Sequence, residues 1–283
     1  TYLVGHVFHH GPNSDMPLPR PKKHLGQHFL QNPDIAHRFV NSLSYHDTSR
    51  TLIEIGPGRG ILTELLMQKA QPHQLYLVEV DPTLADYLKR TYPVLASHIL
   101  TVNFLDLTLA EHLPGPIGVI GNLPYSHATE ILFKLLADRQ QVQEIVCMVQ
   151  REVATRLCAQ PGNKDYGVPS VLLQAFYDIE YLFTVDPTMC KPAPKVHSAV
   201  IRLQRNRTQY LACNEAMFFQ LVKIGFQQRR KKLRNALKAT GYTLDEADPG
   251  LLDLRAEALG VADFVKLAQG VASSPGKLGL TAY

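Results

Sequence analysis

The sequence predicts an α/β chain: a Rossmann-like, doubly wound sheet followed by a small all-helical C-terminal domain. Three observations carry that expectation. Between residues 51 and 150, short apolar runs alternate with helix-period stretches, the pattern of repeated βαβ units. A glycine-rich turn, Gly56-Pro57-Gly58-Arg59-Gly60, joins the first apolar run to the helical stretch behind it. From about residue 214 onward, Phe218, Leu221, Val222, Leu233 and Leu237 recur at helical spacing.

Taken in order, residues 51–55 read as a buried strand and 61–69 as the helix after the glycines. Further strands are expected at 75–80, 99–104, 117–121 and 144–149, each a short run rich in Leu, Ile and Val. A helix over 152–159 follows, then a loop with Pro161, Gly162, Asn163 and Gly167. Pro169 is placed to open a helix over 170–176, because its ring fixes a helical φ where no N–H is needed. Residues 181–185 and 199–203 pair as a closing hairpin across the loop 186–195. Helical patterns then run through 251–259 and 264–267. Right-handed crossovers put the crevice of such a sheet outside the carboxyl ends of its strands. Gly56, Glu79, Asp106 and Asn122 all fall there. The expected division is a ligand-binding domain over residues 16–207 and a helical domain over 208–283. Residues 1–15, rich in Gly and His, read as a leader ahead of a natural start at Met16.

With 45% hydrophobic residues among 283, the chain can bury a large core. No apolar run approaches the ~18–20 residues of a spanning helix, and no cleavable signal pattern opens the chain, so no membrane is expected. Cys147, Cys158, Cys190 and Cys213 are widely spaced without a metal-ligand pattern. That favours reduced thiols, no metal and the cytoplasm. The formal net charge is +4, and its placement says more than its size. Arg229, Arg230, Lys231, Lys232, Arg234 and Lys238 form a dense run interleaved with Leu233, Ala236 and Leu237, as on a helix with one buried and one basic side. A second group comprises Lys191, Lys195, Arg202, Arg205 and Arg207. Such faces can track a phosphate backbone; the plain alternative is a solvated helix face.

The chemistry is concentrated at Asn122, Leu123, Pro124 and Tyr125, directly after the apolar run 117–121. An adenine's amino nitrogen is a poor nucleophile while its lone pair is delocalised into the ring, and two acceptors on its protons push it towards tetrahedral geometry. The Asn122 side-chain oxygen can accept one proton. The Leu123 carbonyl can accept the other, since Pro124 biases the preceding residue to an extended conformation. Tyr125 can stack on the base, worth roughly 1–3 kcal/mol. Alone, these four residues also fit an ordinary strand-ending turn.

The glycine-rich turn supplies the second half. Glycines let a ligand approach the backbone, and the helix start behind them offers unpaired amides. Pro57 between the first two glycines and Glu54 just before them fit S-adenosylmethionine better than a dinucleotide, because that cofactor has no phosphate and carries a cationic amino-acid tail. Glu79 stands about twenty residues beyond the glycines, where an acid can accept from both ribose hydroxyls. Asp106 is expected to bind the cofactor adenine's amino group.

With these motifs in hand, the chain closely resembles the small-subunit ribosomal RNA adenine dimethyltransferases of the KsgA type, from about Lys23 to Gln269. The most specific parts are residues 25–30 (Leu-Gly-Gln-His-Phe-Leu), the glycine turn, the Asn-Leu-Pro-Tyr corner, residues 192–198 and residues 228–237. The resemblance implies an S-adenosylmethionine-dependent methyltransferase sheet and transfer of methyl groups to two adjacent adenosines in a hairpin near the 3′ end of small-subunit rRNA. It implies cofactor contacts at Gln27, His28, Leu30, Gly56, Gly58, Glu79, Asp106 and Asn122, and a catalytic corner of Asn122, Leu123, Pro124 and Tyr125. RNA contacts are expected from Arg229, Arg230, Lys231, Lys232, Arg234 and Lys195, on an assembling small subunit (pre-30S), by a monomer. Two positions depart from the family: His28 stands where Asn is usual, and Cys190 where a base-flanking Phe is common. Either Tyr125 then stacks largely alone or a neighbour such as Phe29 supplies the second wall. A large-subunit rRNA methylase of the antibiotic-resistance type shares the catalytic core, and residues 228–237 favour the small-subunit reading over it. A third alternative is an assembly or transcription factor on the same fold whose role needs no catalysis.

Overall fold

In a computed structural model, residues 17–44, 50–238, 242–243 and 247–271 are described. The expected leader and its start at Met16 lie outside them. Ahead of the sheet, Phe29–Leu30 form a two-residue strand, β1, and Pro33–Asn41 form helix α1. Asn32 caps α1 by accepting from the Ile35 amide, with Pro33 in the first turn, the favoured start chemistry.

The central strands are β2 (Thr51–Ile55), β3 (Leu75–Val78), β4 (Ile99–Leu100), β5 (Ile117–Asn122) and β6 (Val142–Gln150). They are connected by α2 (Ile61–Leu66), α3 (Pro82–Thr91), α4 (Leu109–His112) and α5 (Ala128–Ala137). After β6 come α6 (Arg151–Cys158), α7 (Val168–Gln174), β7 (Tyr177–Val185), β8 (Cys190–Lys191) and β9 (Ser198–Arg205). The seven-stranded sheet has the order β4-β3-β2-β5-β6-β9-β7, parallel from β4 to β6, with β9 and β7 antiparallel. The chain leaves β2 towards one edge and returns at β5 on the other side. That switch point lies where the carboxyl ends of β2 and β5 open a crevice.

Both faces of the sheet are covered, so the central strands β2, β5 and β6 are buried on both sides and alternate between two cores. Ile53, Val119, Ile145 and Cys147 point into one, with α5, α7 and the C-terminal helices; Leu52, Ile120, Val146 and Met148 point into the other, with α1, α2 and α3. Fully burying each such side chain contributes about 1.5–3 kcal/mol.

Several elements differ from expectation, each for a local reason. The strand expected over 75–80 stops at Val78, because Asp81 accepts from the Thr83 amide and Pro82 starts α3. Glu79 therefore sits in a turn. The strand expected over 99–104 shrinks to two residues, since Asn103 accepts from the Leu105 amide and opens a short 3-10 turn, Phe104–Asp106. Helix α2 ends at Leu66 instead of residue 69. The closing hairpin is longer than expected, β7 and β9 pairing from Tyr177↔Arg205 to Val185↔Ser198. Between them β8 pairs with β1, Leu30↔Cys190 and Phe29↔Lys191, tying the loop to the segment ahead of the sheet.

Beyond β9, α8 (Glu215–Gln227), α9 (Leu233–Lys238), α10 (Pro249–Leu252) and α11 (Val261–Gly270) pack together. Phe218, Leu221 and Phe264 join the apolar cluster that includes Val171 and Leu172 of α7. Arg205 extends this junction by donating to the carbonyls of Arg139, Phe176 and Thr208 at 3.0, 2.5 and 2.8 Å. Its guanidinium is thus engaged within the fold.

Candidate active site

At the switch point the two halves of the crevice meet across main chain. A Cβ on Gly121 would lie 2.4 Å from the Ile55 carbonyl oxygen, so only glycine lets β5 approach β2 this closely. The glycine turn and the Asn-Leu-Pro-Tyr corner therefore open onto one cleft. Its lining includes Gln27, His28, Phe29, Leu30, Glu54, Gly56, Gly58, Glu79, Val80, Asn122, Leu123, Pro124 and Tyr125. Of the expected cofactor contacts, Asp106 alone is not among the lining residues; it is exposed on its 3-10 turn.

One half of the cleft is acidic. Glu79 is 4% exposed and accepts from the amides of Gly58 at 3.2 Å and Asp81 at 2.9 Å. Glu54 is 1% exposed and accepts from the Thr63 hydroxyl at 2.6 Å. Burial pushes the Glu54 carboxyl up to about 8, with Thr63 opposing and Glu79 adding to the rise. Burial likewise pushes Glu79 up to about 7 against the amides of Asp81 and Gly58. Arg59 also lines the cleft but donates to the Pro19 carbonyl and lies over the Phe29 ring. Two buried carboxyl groups, which an adjacent positive charge would help to ionise, beside a cation already engaged suit a positively charged ligand and oppose a phosphate.

A strap over residues 19–31 borders this half. Lys22 pairs with Asp81 at 2.6 Å, and Gln27 donates to the other Asp81 oxygen at 3.2 Å. Gly58, at φ +59°, passes under the strap so closely that a Cβ would sit 2.9 Å from the Phe29 ring. Gln27 thus fixes the strap through Asp81, a position missed in the sequence. Asp81 followed by Pro82 announces a helix start and nothing more; its long-range partners leave no local mark.

The other half is the corner. The Leu123 amide donates to the Met148 carbonyl at 3.1 Å, extending the β5–β6 ladder, and His127 N–H closes the turn on Pro124 O at 3.0 Å. Asn122 Nδ2 donates to the His28 carbonyl at 2.7 Å, which orients the amide so that its oxygen faces away from that bond as an acceptor. The Tyr125 hydroxyl is bonded to buried Ser198, and its ring lies beside the His28 imidazole. Burial raises the Tyr125 pKa, partly opposed by Ser198. Cys190 is buried, and burial pushes its thiol up to about 11, so it is protonated and not a nucleophile at neutral pH. Phe29, considered above as a second wall, packs on Gly58 beneath Arg59 instead.

The basic run is less uniform than it reads. Arg229 donates to Glu257 at 2.7 Å and to the Lys164 carbonyl at 2.6 Å, clasping α8's end to the loop before α7. Arg234 pairs with Asp253 at 3.2 Å, and Lys232 lies 4.0 Å from the same carboxylate. Arg230, Lys231 and Lys238 are exposed, as are Lys191 and Lys195 on the loop after β8.

Fold and cleft together define an α/β methyltransferase. The family model for ribosomal RNA adenine dimethylase matches residues 19–249, and the chain belongs to that family. Ribosomal RNA small subunit methyltransferase A of Cytophaga hutchinsonii is 48% identical over 248 residues, covering 88% of this chain and 96% of that protein. Its namesake in Parabacteroides distasonis is 45% identical, covering 89% and 94%. Among solved structures, a dimethyladenosine transferase from Plasmodium falciparum superposes with a TM-score of 0.72 at 22% identity over 85% of this chain and 96% of that one. The 23S rRNA methyltransferase ErmE gives 0.62 at 25% identity over 85% and 100%.

Proposed function

We propose that the protein transfers methyl groups from S-adenosylmethionine to the exocyclic amino groups of two adjacent adenosines near the 3′ end of small-subunit rRNA. It would act as a monomer in the cytoplasm on an assembling subunit. The observation that carries this is the meeting of the acidic, glycine-lined cleft with the Asn122–Tyr125 corner across Gly121. Relatives at 45–48% identity named for the small subunit favour that RNA over the large one.

Glu79 would hold the cofactor's ribose, Gly56 and Gly58 its approach to the main chain, Gln27, His28 and Leu30 the bordering strap, and Glu54 the balance of positive charge. When bound, S-adenosylmethionine supplies an electrophilic methyl group on a sulfonium. The chain's task is to present the amine. Asn122 Oδ1 and the Leu123 carbonyl would accept hydrogen bonds from its N–H groups, turning its lone pair out of the ring, while Tyr125 would stack on the base; the methylated amine is then acidic enough to lose its proton to water. Asp106 would bind the cofactor adenine's amino group, with the exposed turn Phe104–Asp106 closing over it. Arg230, Lys231 and Lys195, with Lys232 at the margin, would meet RNA phosphates; Arg229 and Arg234 would support that surface from behind. The catalytic unit is assigned to residues 16–207 and the helical one to 208–283.

Mass spectrometry of rRNA after incubating unmethylated small subunits with protein and cofactor tests the whole assignment. Dimethyladenosine at two adjacent positions is expected. Absence of methyl transfer, or transfer only to large-subunit rRNA, would refute it.

A further inference from the structure

The imidazole of His28 and the ring of Tyr125 face one another, centroids 5.5 Å apart and planes 23° from parallel. His28 is held from two sides. Its carbonyl accepts from Asn122, and its Nδ1 lies 2.8 Å from the Pro192 carbonyl oxygen. A carbonyl only accepts, so Nδ1 carries the proton in that bond, and the ring cannot rotate without losing it. Tyr125 is held equally firmly by Ser198. The two rings are thus held by three bonds to separate parts of the chain. No other aromatic group lining the cleft competes for this place: Phe29 is turned onto Gly58, and nearby Cys190 is small and buried.

Resting on the adenine-methylation reading above, we infer that His28 is the second aromatic wall of the target-base pocket, facing Tyr125 across the base whose amine Asn122 and Leu123 hold. A base between two rings needs about twice the ~3.4 Å stacking distance, so the pair must open by roughly 1–2 Å. The tether at Pro192 directs that opening. Pro192 follows β8, which pairs with β1 next to His28, so the imidazole and the loop bearing Lys191 and Lys195 shift outward together. Base entry and phosphate contact are then one movement. Until a base arrives, the two rings lie against each other.

The test uses unmethylated small subunits at saturating S-adenosylmethionine. His28→Ala is expected to lower kcat/KM for the subunit by about 5- to 150-fold, the factor for losing one base–aromatic stack. His28→Phe, which keeps a ring without the Pro192 bond, is expected to recover most of that loss. Because His28 also borders the cofactor strap, affinity for S-adenosylhomocysteine is measured by calorimetry on the same variant, and its loss is expected to be several-fold smaller than the loss in kcat/KM for the subunit. Unchanged kcat/KM in His28→Ala overturns the inference. So does a loss that Phe shares equally, or one confined to cofactor affinity. If the unaltered protein transfers no methyl group, the functional reading itself falls, and the inference with it; the other outcomes strike the inference alone.

Discussion

Replacing Arg229 by Ala separates two roles that a basic run in a sequence cannot distinguish. The guanidinium donates to Glu257 at 2.7 Å and to the Lys164 carbonyl at 2.6 Å, with a weaker 3.4 Å contact to the Asn163 carbonyl. Charge-assisted hydrogen bonds contribute about 1.5–3 kcal/mol each when sheltered. Arg229 and Glu257 side chains are 37% and 33% exposed, so solvent screening takes the ion pair towards the ~0.2–1 kcal/mol of surface pairs. The bonds to the Lys164 and Asn163 carbonyls are exposed as well, so screening reduces them likewise. Arg229→Ala should therefore cost about 0.5–2 kcal/mol of stability, the sum of a few screened contacts, read as a lower urea midpoint at unchanged slope. RNA binding should keep its salt dependence. Lys231→Ala should behave oppositely: stability within about 0.5 kcal/mol, and a log–log salt slope shallower by about 0.7–0.9, the signature of one lost phosphate contact. A stable Arg229→Ala protein whose salt slope falls like that of Lys231→Ala would refute the clasp.

Asn122→Ala should reduce kcat at least 100-fold, as when a preorganised polar contact to the reacting group is removed, while subunit affinity stays within a few-fold; equal losses in rate and affinity would contradict the corner's role. Glu54→Gln should alter how stability depends on pH. A carboxyl pushed up to about 8 when folded, against 4.5 when exposed, opposes folding increasingly as pH rises from 4.5 and levels off above 8. The unliganded protein should thus lose stability across that window, and Glu54→Gln should flatten the loss, leaving the share due to Glu79; thermal midpoints between pH 5 and 9 with identical slopes would count against it. Gly58→Ala places a side chain at φ +59°, costing about 1–2 kcal/mol, and drives it into Phe29. Calorimetry with S-adenosylhomocysteine should show about tenfold or greater weakening, and normal affinity would mean that the strap does not shape the cofactor site.

The parts of the fold legible in the sequence are those whose cause is local. Strands buried on both faces show as near-continuous Leu, Ile and Val, and β2 and β5 lie where such runs stand. The glycine turn and the Asn-Leu-Pro-Tyr corner are likewise contiguous. Strand ends are less legible, because β3 and β4 are cut short by the Asp81 and Asn103 caps. Least legible are the long-range bonds. Nothing near Lys22 announces Asp81, and nothing near Tyr125 announces Ser198. In the same way, Arg229 and Lys231 look alike in sequence, and it is Glu257, 28 residues downstream, together with the distant Lys164 carbonyl, that makes one of them part of the scaffold.

In the proposed reaction, the contact at Gly121 would also set how far a methyl group must travel. Donor and acceptor are aligned by two neighbouring backbones in register, Glu54 opposite Ile120, with no side chain between them at the point of crossing. A slip of one residue would turn Asn122 to the opposite face of the sheet. The reach of the reaction is therefore insulated from drift in the surrounding core, whose side chains can exchange volume without changing it. Substrate preference is free to vary in the strap and the loop after β8, while the transfer distance stays written in the main chain.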